Sequence, residues 1–280
     1  MKTQMNVHIR DTARNPLFPR FLVLAAFGLA MALGAALCFA APAKAEDLEP
    51  DPKHATQTLF ALTSSSTSAD PAAAGAWTYE LVSGDAVLGR LSVELSVQPC
   101  PVGECYVMTQ MGSFEFSATH TRTLNSRAVI KPDFTLLNYE KTQEIKSGDE
   151  ITAQTMRTDV GGLTVTTVTR GTATPEEKTI RKTGPVFLAP AVTLLLVRAA
   201  KPENNTYYTF DALIPDQGDL LPGFIEITGA ILQKTDAGAQ NLFRIRASNG
   251  ESTLAFDVNA QGEIVRYGPE TGGLEFHLVK

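Results

Sequence analysis

Histidine is scarce in this chain of 280 residues, with four copies, and tryptophan occurs once. The chain has no G-x-S-x-G, no H-E-x-x-H, no G-x-x-x-x-G-K and no G-x-G-x-x-G, so the sequence signatures of serine hydrolases, zinc proteases, P-loop nucleotide sites and dinucleotide sites are missing. Basic residues are in the minority, 24 against 30 acids, which argues against a nucleic-acid binder that works by neutralising phosphates. Cysteine is limited to three positions, and no His or further Cys lies near Cys100 and Cys105 in sequence to complete a four-ligand zinc site. No sequence repeat recurs at a fixed period, so a propeller or solenoid is not expected. Of the histidines beyond residue 45, His54 falls in a polar lead-in, while His120 and His277 fall in strand patterns and read as ordinary strand residues.

Two compositional features are strong. The first is the N-terminal segment. Lys2, Arg10, Arg14 and Arg20 precede an apolar run from Phe21 to about Ala41, followed by Ala43-Lys44-Ala45 and then Glu46-Asp47. A positive stretch, an apolar stretch and an A-x-A site together read as a secretory signal peptide over 1–45. The competing readings are an uncleaved membrane anchor and, through Cys38, a lipoprotein; Leu37 stands before that cysteine where a small residue is usual. Cleavage before Glu46 removes five bases and one acid and leaves a net charge of -10. The expectation is a periplasmic or secreted protein with no membrane span after cleavage and no affinity for nucleic acid.

The second feature is Pro99-Cys100-Pro101-Val102-Gly103-Glu104-Cys105. Cys100 and Cys105 are an even pair in a chain bound for an oxidising compartment, and Pro101 and Gly103 between them favour a turn that brings the two together. A disulfide across the end of a hairpin is the expectation. Free thiols and redox chemistry are the alternatives, and the spacing is not the C-x-x-C of redox pairs.

Residues 46–75 are rich in Pro, Ala, Ser, Thr and Asp and read as a flexible lead-in, with a short helix near Thr56–Leu62. From Trp77 onward the hydrophobic period is two. Val87, Gly89, Leu91, Val93, Leu95 and Val97 share one face of a strand over Ala86–Val97. Strands follow on either side of Gly112, then over Phe134–Thr142, Glu150–Thr158, Leu163–Arg170 and Lys178–Lys182. Leu188–Ala200 breaks the rhythm. Pro190 near its start, Arg198 near its end and Pro202 beyond it predict a short helix apolar enough to need burial. Strands resume at Thr206 and run to Val279. The expected fold is mainly β: an antiparallel meander of about 12–13 strands in one domain over 76–280, forming a curved sheet or half-barrel with one apolar helix packed on it.

The order of Trp77-Thr-Tyr-Glu-Leu-Val-Ser-Gly-Asp-Ala-Val-Leu-Gly-Arg-Leu91, a mid-chain apolar helix and Tyr207-Tyr-Thr-Phe210 resembles an uncharacterised group of bacterial periplasmic domains built as a long curved antiparallel sheet. More distantly it is similar to the half-barrel lipoprotein carriers of the outer-membrane pathway. A strongly curved sheet that encloses an apolar groove, partly covered by the helix and with no catalytic constellation in the sequence, reads as a binding or carrier protein without catalysis or cofactor, whose ligand is a lipid or another apolar molecule. The residues placed on its apolar groove are Leu188, Val192, Leu195, Leu196 and Ala199 on the helix, with Leu91, Val93 and Leu95 on the sheet. An ordinary filled core is the plainer account of the same residues. The other functional reading is a structural or protein-interaction module of the cell envelope, with envelope proteins as partners. Asp211, Asp216, Asp219 and Glu226 form an acidic group that a solvated loop explains, and Asp257–Gly262 imitates a calcium loop but has Gly268 where the bidentate Glu belongs.

If Cys100 and Cys105 are bridged, the exported chain has a mass about 2 Da below its reduced form, and Cys100→Ser abolishes the difference. Mass spectrometry with and without reductant reads this directly. Equal masses would leave two free thiols.

Overall fold

A computed structural model describes residues 55–160, 164–170, 176–180, 184–200, 206–214, 219–235, 238–248 and 252–279. The signal segment 1–45 lies outside the described residues, as does the first part of the lead-in. The described chain forms one fifteen-stranded sheet. Its strands are β1 (Ala55–Thr58), β2 (Gly75–Ser83), β3 (Ala86–Cys100), β4 (Gly103–Ser117), β5 (His120–Ile130), β6 (Leu136–Ser147), β7 (Glu150–Val160), β8 (Thr164–Arg170) and β9 (Glu176–Ile180). A helix, α2, spans Ala189–Leu195, and then come β10 (Thr206–Ile214), β11 (Asp219–Thr235), β12 (Gly238–Ser248), β13 (Thr253–Val258), β14 (Ile264–Pro269) and β15 (Leu274–Leu278). The spatial order runs from β1 through β10–β15 to β2–β9. Neighbours are antiparallel except β1 and β10, which are parallel. The last strand, β15, pairs with β2, so the two halves of the meander join at the ends of the chain.

The expected class, an antiparallel meander with one apolar helix, is what forms, as a single sheet and not a sandwich. The strand boundaries differ in places where a side chain, not the backbone, explains a glycine. Gly112 was expected to separate two strands, yet it sits inside β4, paired with Leu91 and Leu124. A Cβ there would lie 2.7 Å from Cζ of the Phe114 ring, which occupies the space the glycine leaves. The real turn follows Ser117, and β5 runs on to Ile130. In β3 a bulge opposite Leu81/Val82 inserts one residue, Leu88. The alternation therefore changes phase: Leu91, Val93 and Leu95 face the core as expected, whereas Val87 is 57% exposed.

The stretch from residue 55 to 75 is not a loose lead-in. β1 adds to the edge of β10, a short helix α1 (Leu59–Thr63) is capped by the Thr58 hydroxyl, and Leu59, Ala69 and Ala73 are buried in the core. Tyr106 anchors this stretch, because its hydroxyl oxygen accepts a hydrogen bond from the Asp70 amide at 2.8 Å. Apolar residues spaced singly in a polar segment carry no periodic signal, which is why the sequence reads as linker.

The concave face holds the core. Tyr267 stacks on Phe276 with ring centres 4.7 Å apart and on Phe256 at 5.5 Å, and Phe276 meets Phe114 edge-on. Helix α2 lies in this core with Ala191, Val192, Leu194 and Leu195 buried. Where a regular helix was expected to Ala200, the chain widens into a π-helix over Leu196–Ala200. Arg198 projects from that segment. Its guanidinium donates to the carbonyls of Ala72, Ala73 and Gln261 at 3.3–3.4 Å and sits 5.5 Å over the Trp77 ring. Just before α2, Val186 and Phe187 form a strap between β6 and β10, Phe187 bridging in parallel to Ala212. Leu136 of β6 donates to the Val186 carbonyl at 2.7 Å, and Phe187 exchanges bonds with Asp211 and Leu213 of β10 at 3.0 and 2.8 Å. β6 and β10 are far apart in sheet order, so this two-residue strap shows how tightly the sheet rolls: the two strands come within roughly two strand spacings, about 10 Å.

The convex face carries a ladder of polar and charged side chains in register across β12, β13, β14, β15, β2 and β3: Arg244, Asp257, Arg266, His277, Glu80 and Arg90. Asp257 is its buried anchor, held by Arg244 at 2.8 Å and Arg266 at 2.6 Å and only 3% exposed. Burial by itself would raise the Asp257 carboxyl, but the hydrogen bonds and charges of the two arginines outweigh it and hold the group below the usual carboxylate range. Its contribution to stability is therefore present above about pH 3.9 and is lost as pH falls through the lower folded value. Asp257→Asn is expected to cost roughly 3 kcal/mol near neutral pH, because two arginines lose their shared partner, and to flatten the acid limb of the stability curve. Leu195→Ala, at a fully buried position, is expected to cost about 2–5 kcal/mol. Denaturant unfolding from pH 7 to pH 3 measures both; a variant as acid-sensitive as the parent would remove Asp257 from this role.

Candidate functional site

The eight residues expected to line an apolar groove do come together, but as core. Leu188, Val192, Leu195 and Leu196 are 0–2% exposed, and Leu91, Val93 and Leu95 are 0–7% exposed, all in one hydrophobic cluster with Ala199 packed against its margin. These side chains are in contact with protein, which is the filled-core alternative of the sequence reading.

The concave face is not uniformly apolar. Across β4 to β7 runs a buried polar stripe: Gln110, Ser126, Arg122, Lys141 and Gln143. The Ser126 hydroxyl donates to Gln110 Oε1 at 3.2 Å, Arg122 donates to Gln143 Oε1, and Gln143 donates on to Gln154. Lys141, 2% exposed, stands between Ser126 and Met156 in register and also has a partner. This network was legible only as an oddity of alternation, Lys141 falling on the same face as Tyr139.

An accessible concavity lies on the other side of the sheet. A groove of about 510 Å³ crosses the convex face from the β3–β4 hairpin to β7. Its floor is aliphatic: half-buried Leu137 and Val160 reach the surface, and Val107 and Val129, 2% and 9% exposed, lie beneath them. Leu137 reaches this face because a bulge between Val129 and Ile130 leaves it unpaired. One wall is the hairpin end, Pro99, Cys100 and Pro101, closed by the Cys100–Cys105 disulfide, whose Cα atoms are 5.8 Å apart. The disulfide is thus formed where the sequence placed it. Cys105, Val107 and Val129 make a second small hydrophobic cluster, outside the main core, that the bridge helps to cover. A disulfide here fits an oxidising compartment.

The opposite wall is charged. Arg127, Glu140 and Arg157 face one another in register across β5, β6 and β7. Arg157 Nε lies 3.2 Å from Asp159 and 3.7 Å from Glu140, and Asn138 donates to Asp159 at 2.6 Å. Arg127 alone of these charged groups has no hydrogen bond or ion pair among the described residues. No motif marks this site: its charged members are outward positions of strands that look like any solvated face, and its floor depends on a bulge.

The other sequence candidates are engaged elsewhere. Glu226 pairs with Arg246 at 2.5 Å, while Asp216 and the side chain of Asp219 lie outside the described residues. In the calcium-like loop Asp257 is held by arginines, and Asn259 Oδ1 accepts from the amides of Gln261 and Glu263. His120 packs on Phe116 with ring centres 5.6 Å apart, and His277 is 2.9 Å from Glu275. Among the described residues no three His, Cys, Asp or Glu side chains gather as a metal site, and no helix is long and apolar enough to cross a membrane.

No protein-family model matches the chain, and no curated protein is similar to it. Among solved structures it is similar to a beta-barrel-like protein of a domain of unknown function, DUF1849, from Brucella abortus. The two are 11% identical, the TM-score is 0.50, and the likeness covers 74% of this chain and 96% of that one. At this identity the likeness concerns the fold alone: an uncharacterised, barrel-like antiparallel sheet, with no support from it for kinship to lipoprotein carriers.

Proposed function

We propose that this is a non-catalytic binding protein of an extracytoplasmic compartment, and that its ligand occupies the convex groove beside the disulfide. The observation that supports the reading is the groove itself: an aliphatic floor in a concavity of about 510 Å³, walled by a cross-linked hairpin and by charged groups of both signs. Concavities of this size with an apolar lining and a few convergent polar groups are the usual form of small-molecule sites. Compared with the reading from sequence, the binding role stays and the site moves, from the concave residues buried as core to the opposite face of β4–β7.

The second reading, a structural or interaction module without a small-molecule ligand, draws on a different observation. The concave face is occupied by its own helix, and the charge ladder pairs many groups on the convex face within the molecule. The signal-like segment and the disulfide favour export under either reading.

The two readings part in one experiment. The chain is produced with its own export segment, purified, and examined by native mass spectrometry followed by solvent extraction. The binding reading expects one apolar molecule per chain, retained by the parent and lost in Leu137→Asp, a substitution at a partly exposed floor position. A bare mass, together with no uptake of added apolar probes, would favour the module reading.

A further inference from the structure

We infer that the convex groove selects aliphatic monocarboxylates through Arg127, an inference that rests on the binding reading above. Three observations converge on it. The lining is aliphatic and has no aromatic ring, with half-buried Leu137 and Val160 at the surface over Val107 and Val129, so a hydrocarbon body finds apolar contact there. The two acids of the groove are already engaged: Asp159 accepts from Arg157 and Asn138 at 3.2 and 2.6 Å, and Glu140 stands 3.7 Å from Arg157. Arg127 lines the same groove and is left without a bond among the described residues, although Glu140 faces it across the β5–β6 pair.

A guanidinium presents parallel N–H donors that match the two oxygens of a carboxylate. On this exposed wall the charge is screened by water, so the paired geometry of the donors carries the selectivity. The ligand it fits carries one carboxylate at the Arg127 end and an unbranched or branched alkyl body along the valines. An alcohol of the same length would fill the floor but offer only one acceptor oxygen and no charge. A primary amine would place its cation against Arg127 and find both acids already paired.

Octanoate, 1-octanol and octylamine are the probes, titrated into the purified chain and followed through the methyl resonances of Val107, Val129 and Leu137. Octanoate is expected to shift these methyls with an affinity at least tenfold above that of octanol, and octylamine to bind more weakly still. Arg127→Gln is expected to bring octanoate down to the octanol level, and Arg127→Lys to retain part of the difference. Arg127 is exposed and holds nothing in place, so both variants keep the parent fold, which the unshifted core methyl spectrum verifies. Equal binding of octanoate and octanol would overturn the carboxylate inference while the groove remains a binding site. A preference for octanoate that survives Arg127→Gln would also overturn it, by locating recognition elsewhere. Absence of any shift at the floor methyls with all three probes would overturn the binding reading itself.

Discussion

A single sheet with one apolar face has only one way to remove that face from water, which is to roll around its own contents. In this protein every strand from β10 through β15 and on through β2 to β8 is hydrogen-bonded on both sides, so no seam exists where the sheet could split into two packed layers. The burial of Leu81, Leu91, Ile225, Phe256 and Phe276, contributed by strands scattered along the whole sheet, requires curvature. The Val186–Phe187 strap sets its extent by hydrogen-bonding to β6 on one side and β10 on the other. Strands β7 to β9 and β1 lie beyond that tie, as the two free ends of an unclosed roll. Helix α2 follows the strap by one residue, so the element that limits the roll also delivers its filling.

How far the sequence disclosed this depends on which physical signal each element carries. The period of two is strong in β3, β13 and β15, and the short apolar helix stands out because its residues break that period. What the alternation could not convey was the effect of insertions. One bulged residue, Leu88, reverses the facing of everything before it in β3, and another, Leu137, turns a leucine to the convex side. A glycine in a strand is read as a break, and at Gly112 it is a place for the Phe114 ring. In the stretch from residue 55 to 75 the short helix expected near Thr56–Leu62 forms as Leu59–Thr63, while the docking of the rest is not legible because its few buried residues dock singly, each determined by a distant partner such as Tyr106 or Arg198. The pairing of Cys100 with Cys105 was legible because both its cause and its effect are local.

The candidate site illustrates the same divide. Leu188, Val192, Leu195 and Leu196 were recognisable as a buried stripe, and burial is what they have. Periodicity reports that a side chain leaves water; it does not report whether protein or ligand replaces the water. The groove on the other face is assembled from five strands and depends on the curl of the β3–β4 hairpin, a global property of the roll. No spacing rule would gather Pro99, Val129 and Arg157. Its charged wall is three outward positions that happen to be in register, visible only once the pairing of β5, β6 and β7 is known.

The pairing of β15 with β2 has a consequence for how the chain comes to be folded. These strands are nearly two hundred residues apart in sequence, and closing them is the longest-range step in the sheet. A chain emerging N-terminus first presents β2 early and β15 last. Throughout emergence β2 has β3 on one edge and nothing on the other, and Trp77, Tyr79 and Leu81 have only part of their eventual surroundings. Until β15 arrives, the edge of β2 opposite β3 has no strand to pair with. Any factor that guards unpaired sheet edges against one another would act on this edge.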